Sequence, residues 1–117
     1  VEKECDNSNE LKKVSGVYIN RLNLGIPLQS NECLQYVLKD TTIKYLTSDH
    51  LNIESPYNTF TKKGLPPSVI CKPSKASIMA IINAEKHEYL YFIKRDSSYI
   101  YSKSLEEHKS SAIKALN

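Results

Sequence analysis

The chain begins VEKEC, which places two carboxylates, Glu2 and Glu4, on either side of one lysine. A carboxyl serves as a general acid near neutrality only when its ionised form is disfavoured, and apolar surroundings do that. Side chains on an α-helix step round the axis by about 100° per residue, so Glu2 and Glu4 stand about 200° apart and cannot share a face. With Val1 as reference, Cys5 returns to within about 40° of it and Glu4 to within about 60°, while Lys3 points almost the opposite way. On a helical N-terminus Glu4 is therefore the carboxylate on the apolar side and the candidate proton donor. Geometry leaves open the alternative that both are solvated boundary residues.

Little else in the chain has the spacing of reactive groups. His50, His87 and His108 are scattered, with no metal-ligand pattern and no GxSxG to accompany them. Cys5, Cys33 and Cys71 form no CxxC pair for zinc or redox work. They read as small buried hydrophobes, or as one disulfide and a free thiol in an oxidising compartment. No glycine-rich phosphate cradle is present, and no cofactor or metal is expected.

The elements that must position an acid fit one domain over residues 1–117, a length that hides roughly two thirds of its extended-chain surface on folding. Hydrophobic residues at 40% and charged residues at 25% are ordinary for a globular protein. The net charge of +3 lacks the clustered basic stripe of a nucleic-acid binder. The longest strictly apolar run, Ile78 to Ile82, is far short of the roughly 20 residues that cross a bilayer. Because Val1 already sits in apparent helix, the chain is expected to be the C-terminal piece of something longer.

Asn7 and Glu10 have capping-box spacing ahead of a helix whose apolar face is Leu11, Val14, Tyr18 and Leu22, stopped by Gly25. Ser30 is placed to cap a second helix with Cys33, Leu34, Val37 and Leu38 buried. TTIKYL (residues 41–46) reads as a short strand, and the proline-punctuated stretch 48–73 as loop. Ser74 is placed to cap a third helix bearing Ile78, Ile81 and Ile82. YLYFIK (89–94) and SYIYSK (98–103) read as a β-hairpin, and Ser104 with Glu107 as the capping box of a closing helix. The class is α+β: a small sheet with a C-terminal hairpin packed by several short helices, and the acid on the N-terminal helix.

The ordered blocks VEKE, VYINRLNLGIPLQSN, ESPYNTFTKKGLPPSVICKPSKAS, EYLYFI and SKSLEEHK together resemble the catalytic region of the YceG-like family, the MltG endolytic murein transglycosylases, over nearly the whole chain. The resemblance implies that Glu4, the second glutamate of the EKE block, is the catalytic acid. It implies cleavage between N-acetylmuramic acid and N-acetylglucosamine of nascent peptidoglycan, leaving a 1,6-anhydro end. Substrate contacts carried over from the matching blocks are Asn20 of NRL, Gln29, Ser30 and Asn31 of LQSN, and Tyr57 and Asn58 of PYNT. Arg21 reads as a helix-end residue paired to a carboxylate or carbonyl, or as a direct contact, and His108 as a residue of the helix surface or one that supports the site from behind, not a base. The implied partners are glycan strands and the cell-wall synthesis machinery, with no nucleic acid. The implied location is the outer face of the bacterial cytoplasmic membrane, reached through an upstream anchor and a LysM-like domain outside this chain. Three departures stand out: Asn31 and Glu32 replace the family's Asp-Pro, and Ser68 and Ser74 stand where glycine is usual. A non-catalytic glycan-binding or assembly module of the same fold is the alternative reading.

Overall fold

The computed structural model describes residues 1–2, 5, 9–39, 47–68, 70–95 and 98–116. Glu4, Asn7 and the strand expected at 41–46 lie outside the described residues. The elements run α1 (Leu11–Leu24), α2 (Asn31–Leu38), α3 (Ser48–Leu51), α4 (Lys75–Ile82), β1 (Tyr91–Arg95), β2 (Ser98–Ser102) and α5 (Leu105–Leu116). This is the expected α+β arrangement, with one correction: Val1, Glu2 and Cys5, the described residues of VEKEC, are not helical, and the first helix begins only at Leu11, so the N-terminal helix expected to carry the acid is not found among them.

Helix α1 is the axle. Its Leu11, Val14 and Val17 are buried, and Leu11 and Val14 cluster with Cys5 and with Ala80 of α4, with Tyr18, Phe92, Tyr99 and Tyr101 packed around them. Glu10 occupies the N-cap position without capping; its carboxylate instead accepts the Tyr101 hydroxyl at 2.5 Å. Gly25 ends the helix as expected, at φ 68°, with its N–H turned back to the carbonyls of Arg21 and Leu22.

The hairpin is antiparallel, pairing Tyr91 with Ser102, Ile93 with Ile100 and Arg95 with Ser98. Alternation along the strands turns Phe92, Tyr99 and Tyr101 toward α1. On the opposite face, Tyr91 stacks on His108 of α5 at 4.9 Å. Ser104 caps α5 by accepting the Glu107 N–H, while the Glu107 carboxylate accepts the N–H of Lys103, one residue before the cap.

The segment from Ala84 to Leu90 links α4 to the hairpin and is sewn to α1. Glu85 N–H donates to the Lys12 carbonyl at 3.1 Å, and His87 Nε2 lies 2.9 Å from the Lys13 carbonyl. His87 Nδ1 faces the N–H of Tyr89 and the amide of Asn20, so the ring is the Nε2–H tautomer. The fit is close at Gly16: a Cβ there would sit 2.4 Å from the Glu85 carbonyl oxygen and 2.6 Å from His87 Nε2.

The stretch expected to be loop contains one helical turn, α3. Thr47 Oγ1 accepts the His50 N–H, and His50 Nδ1 accepts the Thr47 N–H, so an imidazole closes the reciprocal cap that glutamate usually closes. Ser30 and Ser74 cap α2 and α4 as expected, accepting from Cys33 and Ser77. In α2, Cys33 and Leu34 are buried. The isoleucines of α4 differ from expectation. Ile78, Ile81 and Ile82 are 49%, 42% and 70% exposed, because α4 is held to the core through Ser77 and Ala80 instead. Among the described residues, no helix is long and apolar enough to cross a membrane.

Candidate functional site

The exposed isoleucines form one wall of an open groove of about 730 Å³. Tyr18 and Leu22 of α1, and Cys33 at the start of α2, supply another wall. Residues from sequence blocks far apart meet here: Val1 and Glu2 of VEKE, Ser30 and Glu32 of LQSNE, and Leu65, Pro66 and Ser68 of GLPPS. The lining is mostly hydrocarbon, with a few polar groups at its edges.

Of the two carboxylates that the described residues place along the groove, Glu2 and Glu32, Glu2 is the one in the acid's own VEKE block. It accepts hydrogen bonds from Ser77 Oγ, from Ser74 Oγ at 2.7 Å and from Ser74 N–H at 3.1 Å. These bonds, the Ser77 hydroxyl foremost, hold its pKa down to about 2. A group ionised at every working pH cannot donate a proton, so Glu2 does not compete for the acid's role. Cys5, at the far end of VEKEC, is buried in the cluster of Leu11, Val14 and Ala80.

The remaining expected contacts divide between the groove and the framework around it. Ser30 lines the groove, with its N–H donating to Thr59 Oγ1 at 2.9 Å. Gln29 beside it is exposed in the left-handed region at φ 54°, and its N–H donates to the Thr59 carbonyl at 3.0 Å. Asn31 is exposed at the first position of α2. Tyr57 is half-buried, its ring 5.1 Å from that of Tyr36 and its hydroxyl 2.6 Å from Ser68 Oγ.

Asn58 requires correction as a surface contact. It is fully buried; its amide donates to the carbonyls of Leu51 at 3.1 Å and Ile53 at 2.7 Å, and its side-chain oxygen accepts the Phe60 N–H. It winds the 51–60 loop, and Thr59 next to it then docks that loop onto Gln29 and Ser30. Asn20 is likewise occupied, donating to the carbonyls of His87 at 2.8 Å and Tyr89 at 3.0 Å. Arg21 is 4% exposed and donates to the Leu90 carbonyl at 2.7 Å and the Pro27 carbonyl at 2.6 Å, with its guanidinium over Tyr91. It is the carbonyl-paired helix-end residue, not a groove residue. His108 is lowered in pKa by burial and then by the nearby Arg21 charge, as suits a packing residue.

Several groove residues escaped sequence reasoning. Tyr18 and the α4 isoleucines read as core faces, and apolar spacing marks a core face and a groove face alike. Ser68 and Ser74, noted only as departures from glycine, bond Tyr57 and Glu2. Cys5 and Cys33 are buried, as the small-hydrophobe reading expects, whereas Cys71 is only half-buried. Among the described residues, no cluster of His, Cys, Asp or Glu could hold a metal ion.

Comparison with known proteins places this chain in a family. The description "YceG-like family" matches residues 1–114. The endolytic murein transglycosylase of Bacillus subtilis strain 168 is 31% identical over 118 residues, covering the whole of this chain and 32% of that protein. The endolytic murein transglycosylase of Streptococcus pneumoniae serotype 2 is 32% identical over 123 residues, again across the whole chain and 22% of the relative. A crystal structure of a putative YceG-like protein from Listeria monocytogenes superposes with a TM-score of 0.85 at 36% identity, covering 93% of this chain and 35% of that one. The chain thus spans about a third or less of the length of these relatives. Matched from its first residue to its 114th by the family description, and sharing that fold, the chain belongs to the YceG-like family.

Proposed function

We propose that this protein is an endolytic lytic transglycosylase that cuts peptidoglycan strands between N-acetylmuramic acid and N-acetylglucosamine. The observation that carries the reading is the convergence of VEKE, LQSNE and GLPPS on one groove. Glu4 is the acid. It protonates the glycosidic oxygen as that bond breaks; as carboxylate it then takes the proton of the muramyl C6 hydroxyl, whose oxygen closes on C1. The strand ends in a 1,6-anhydro sugar and no water is consumed. One carboxylate suffices where ordinary glycosidases use two, because the attacking oxygen belongs to the substrate.

Ser30, Gln29, Asn31 and Tyr57 are the glycan contacts, at or beside the groove. Apolar walls suit the hydrocarbon faces of sugar rings and the methyl of N-acetyl groups, and hydroxyl and amide groups at the edges suit their polar rims. The proposed location is the outer face of the bacterial cytoplasmic membrane, with nascent glycan strands as substrate and the cell-wall synthesis machinery as partner.

The test is digestion of isolated peptidoglycan by the intact protein with mass analysis of the products. Anhydro-muramyl ends are expected, and Glu4→Gln should lower their rate by about 10²- to 10⁴-fold. Unchanged turnover in that variant removes Glu4 from the reaction. Retention on peptidoglycan with no products supports the non-catalytic module instead.

A further inference from the structure

Taking the transglycosylase reading as its basis, we propose that Glu2 is a positioning residue, whose carboxylate fastens the chain on the N-terminal side of the acid to the first turn of α4. Glu2 and Cys5, the described residues on either side of Glu4, are both held, Glu2 on that helix and Cys5 in the core between it and α1. Glu2 is bonded to Ser74 and Ser77 at the start of α4, and Cys5 is buried in one cluster with Leu11, Val14 and Ala80, the last in the second turn of α4.

The bond from Ser77 is the part-buried one of the three that Glu2 accepts, and the two from Ser74 are exposed. Ser77 is 5% exposed, so its hydroxyl has little solvent to turn to. Ser74 both caps α4 and donates to Glu2 through its hydroxyl and its main-chain N–H, where the partial positive charge of a helix start favours a carboxylate. The Ser74 hydroxyl has no counterpart where the family pattern has glycine, so this chain adds a bond to the anchor. A proton donor must meet the glycosidic oxygen within hydrogen-bond reach. Fastening the chain on both sides of Glu4 supplies that placement before substrate arrives, and its effect falls on the chemical step more than on binding.

The experiment measures kcat and KM for release of anhydro ends by the intact protein carrying Glu2→Ala, Glu2→Gln, Ser77→Ala or Glu2→Ala with Ser77→Ala, with thermal melting to confirm folding. Glu2→Ala should lower kcat by roughly 10- to 100-fold while KM stays within about twofold. Glu2→Gln, which keeps an acceptor oxygen, should recover most of the loss. Ser77→Ala should lower kcat alone but add nothing to Glu2→Ala, as expected of two ends of one contact. Unchanged kcat in Glu2→Ala, a loss confined to KM, or additive losses each overturn the role. Should Glu2→Ala not fold, a folded double variant Ser74→Gly with Ser77→Ala, which removes both hydroxyl donors, overturns it equally if its kcat is that of the wild type. A wild-type protein that releases no anhydro ends refutes the reaction and this role together, whereas an active wild type with indifferent variants refutes the role alone.

Discussion

Asn58 shows how far a side chain's partners, more than its type, decide what it does. An asparagine in a polar loop looks available to a sugar; here every edge of its amide is used to hold main chain in place. Asn58→Ala leaves buried carbonyls and an N–H without partners and should destabilise the fold by about 1–3 kcal/mol, read as a shift of the urea midpoint. A mere glycan contact would leave that midpoint in place. His108 gives a second residue-scale expectation. Its pKa is lowered in the fold, so it stays neutral at pH values where the unfolded chain would take up a proton. Its contribution is present above the unfolded value near 6.5 and lost as pH falls through the lower folded value. An NMR titration should place its midpoint below that of a free histidine. Glu2 has the same sign at lower pH: its anchor is intact above 4.5 and lost as pH falls toward about 2. Exchange of the Ser74 amide should quicken across that window.

At the scale of elements, the contact between α1 and the Ala84–Leu90 segment tolerates the least change. Gly16→Ala puts a methyl into the space held by the Glu85 carbonyl and the His87 ring, and should cost about 1–3 kcal/mol as a lowered melting temperature. Element starts and stops were readable from sequence wherever one side chain or one φ decides them: Ser30, Ser74, Ser104 and Gly25 act as expected. The cap of α3 was not readable, because a histidine takes a glutamate's part. Nor was the role of Glu10, whose spacing fits a cap while its carboxylate goes to Tyr101, 91 residues away along the chain. Local signals predict local bonds; a competing partner brought by the fold is invisible to them.

For the whole molecule, the same limit explains which parts of the groove could be foreseen. The hairpin, the class and the blocks VEKE, LQSN and LPP followed from sequence, and the blocks do meet. The α4 isoleucines did not, since a helix hydrophobic nearly all round gives no hint of which side faces the core. The structure separates the sides: Ile82→Ser should change stability by no more than about 0.5 kcal/mol, yet weaken retention on isolated peptidoglycan in a sedimentation assay. Loss of folding would instead make that wall part of the core.

Cys71 is half-buried at the rim of this groove, whereas Cys5 and Cys33 are buried. The protein therefore carries its own attachment point beside the cleft. A maleimide dye should modify Cys71 well ahead of the other two thiols, with no engineered cysteine. Saccharide chains seated alongside should slow that labelling, turning one native sulfur into a gauge of occupancy that works even in a variant unable to cut.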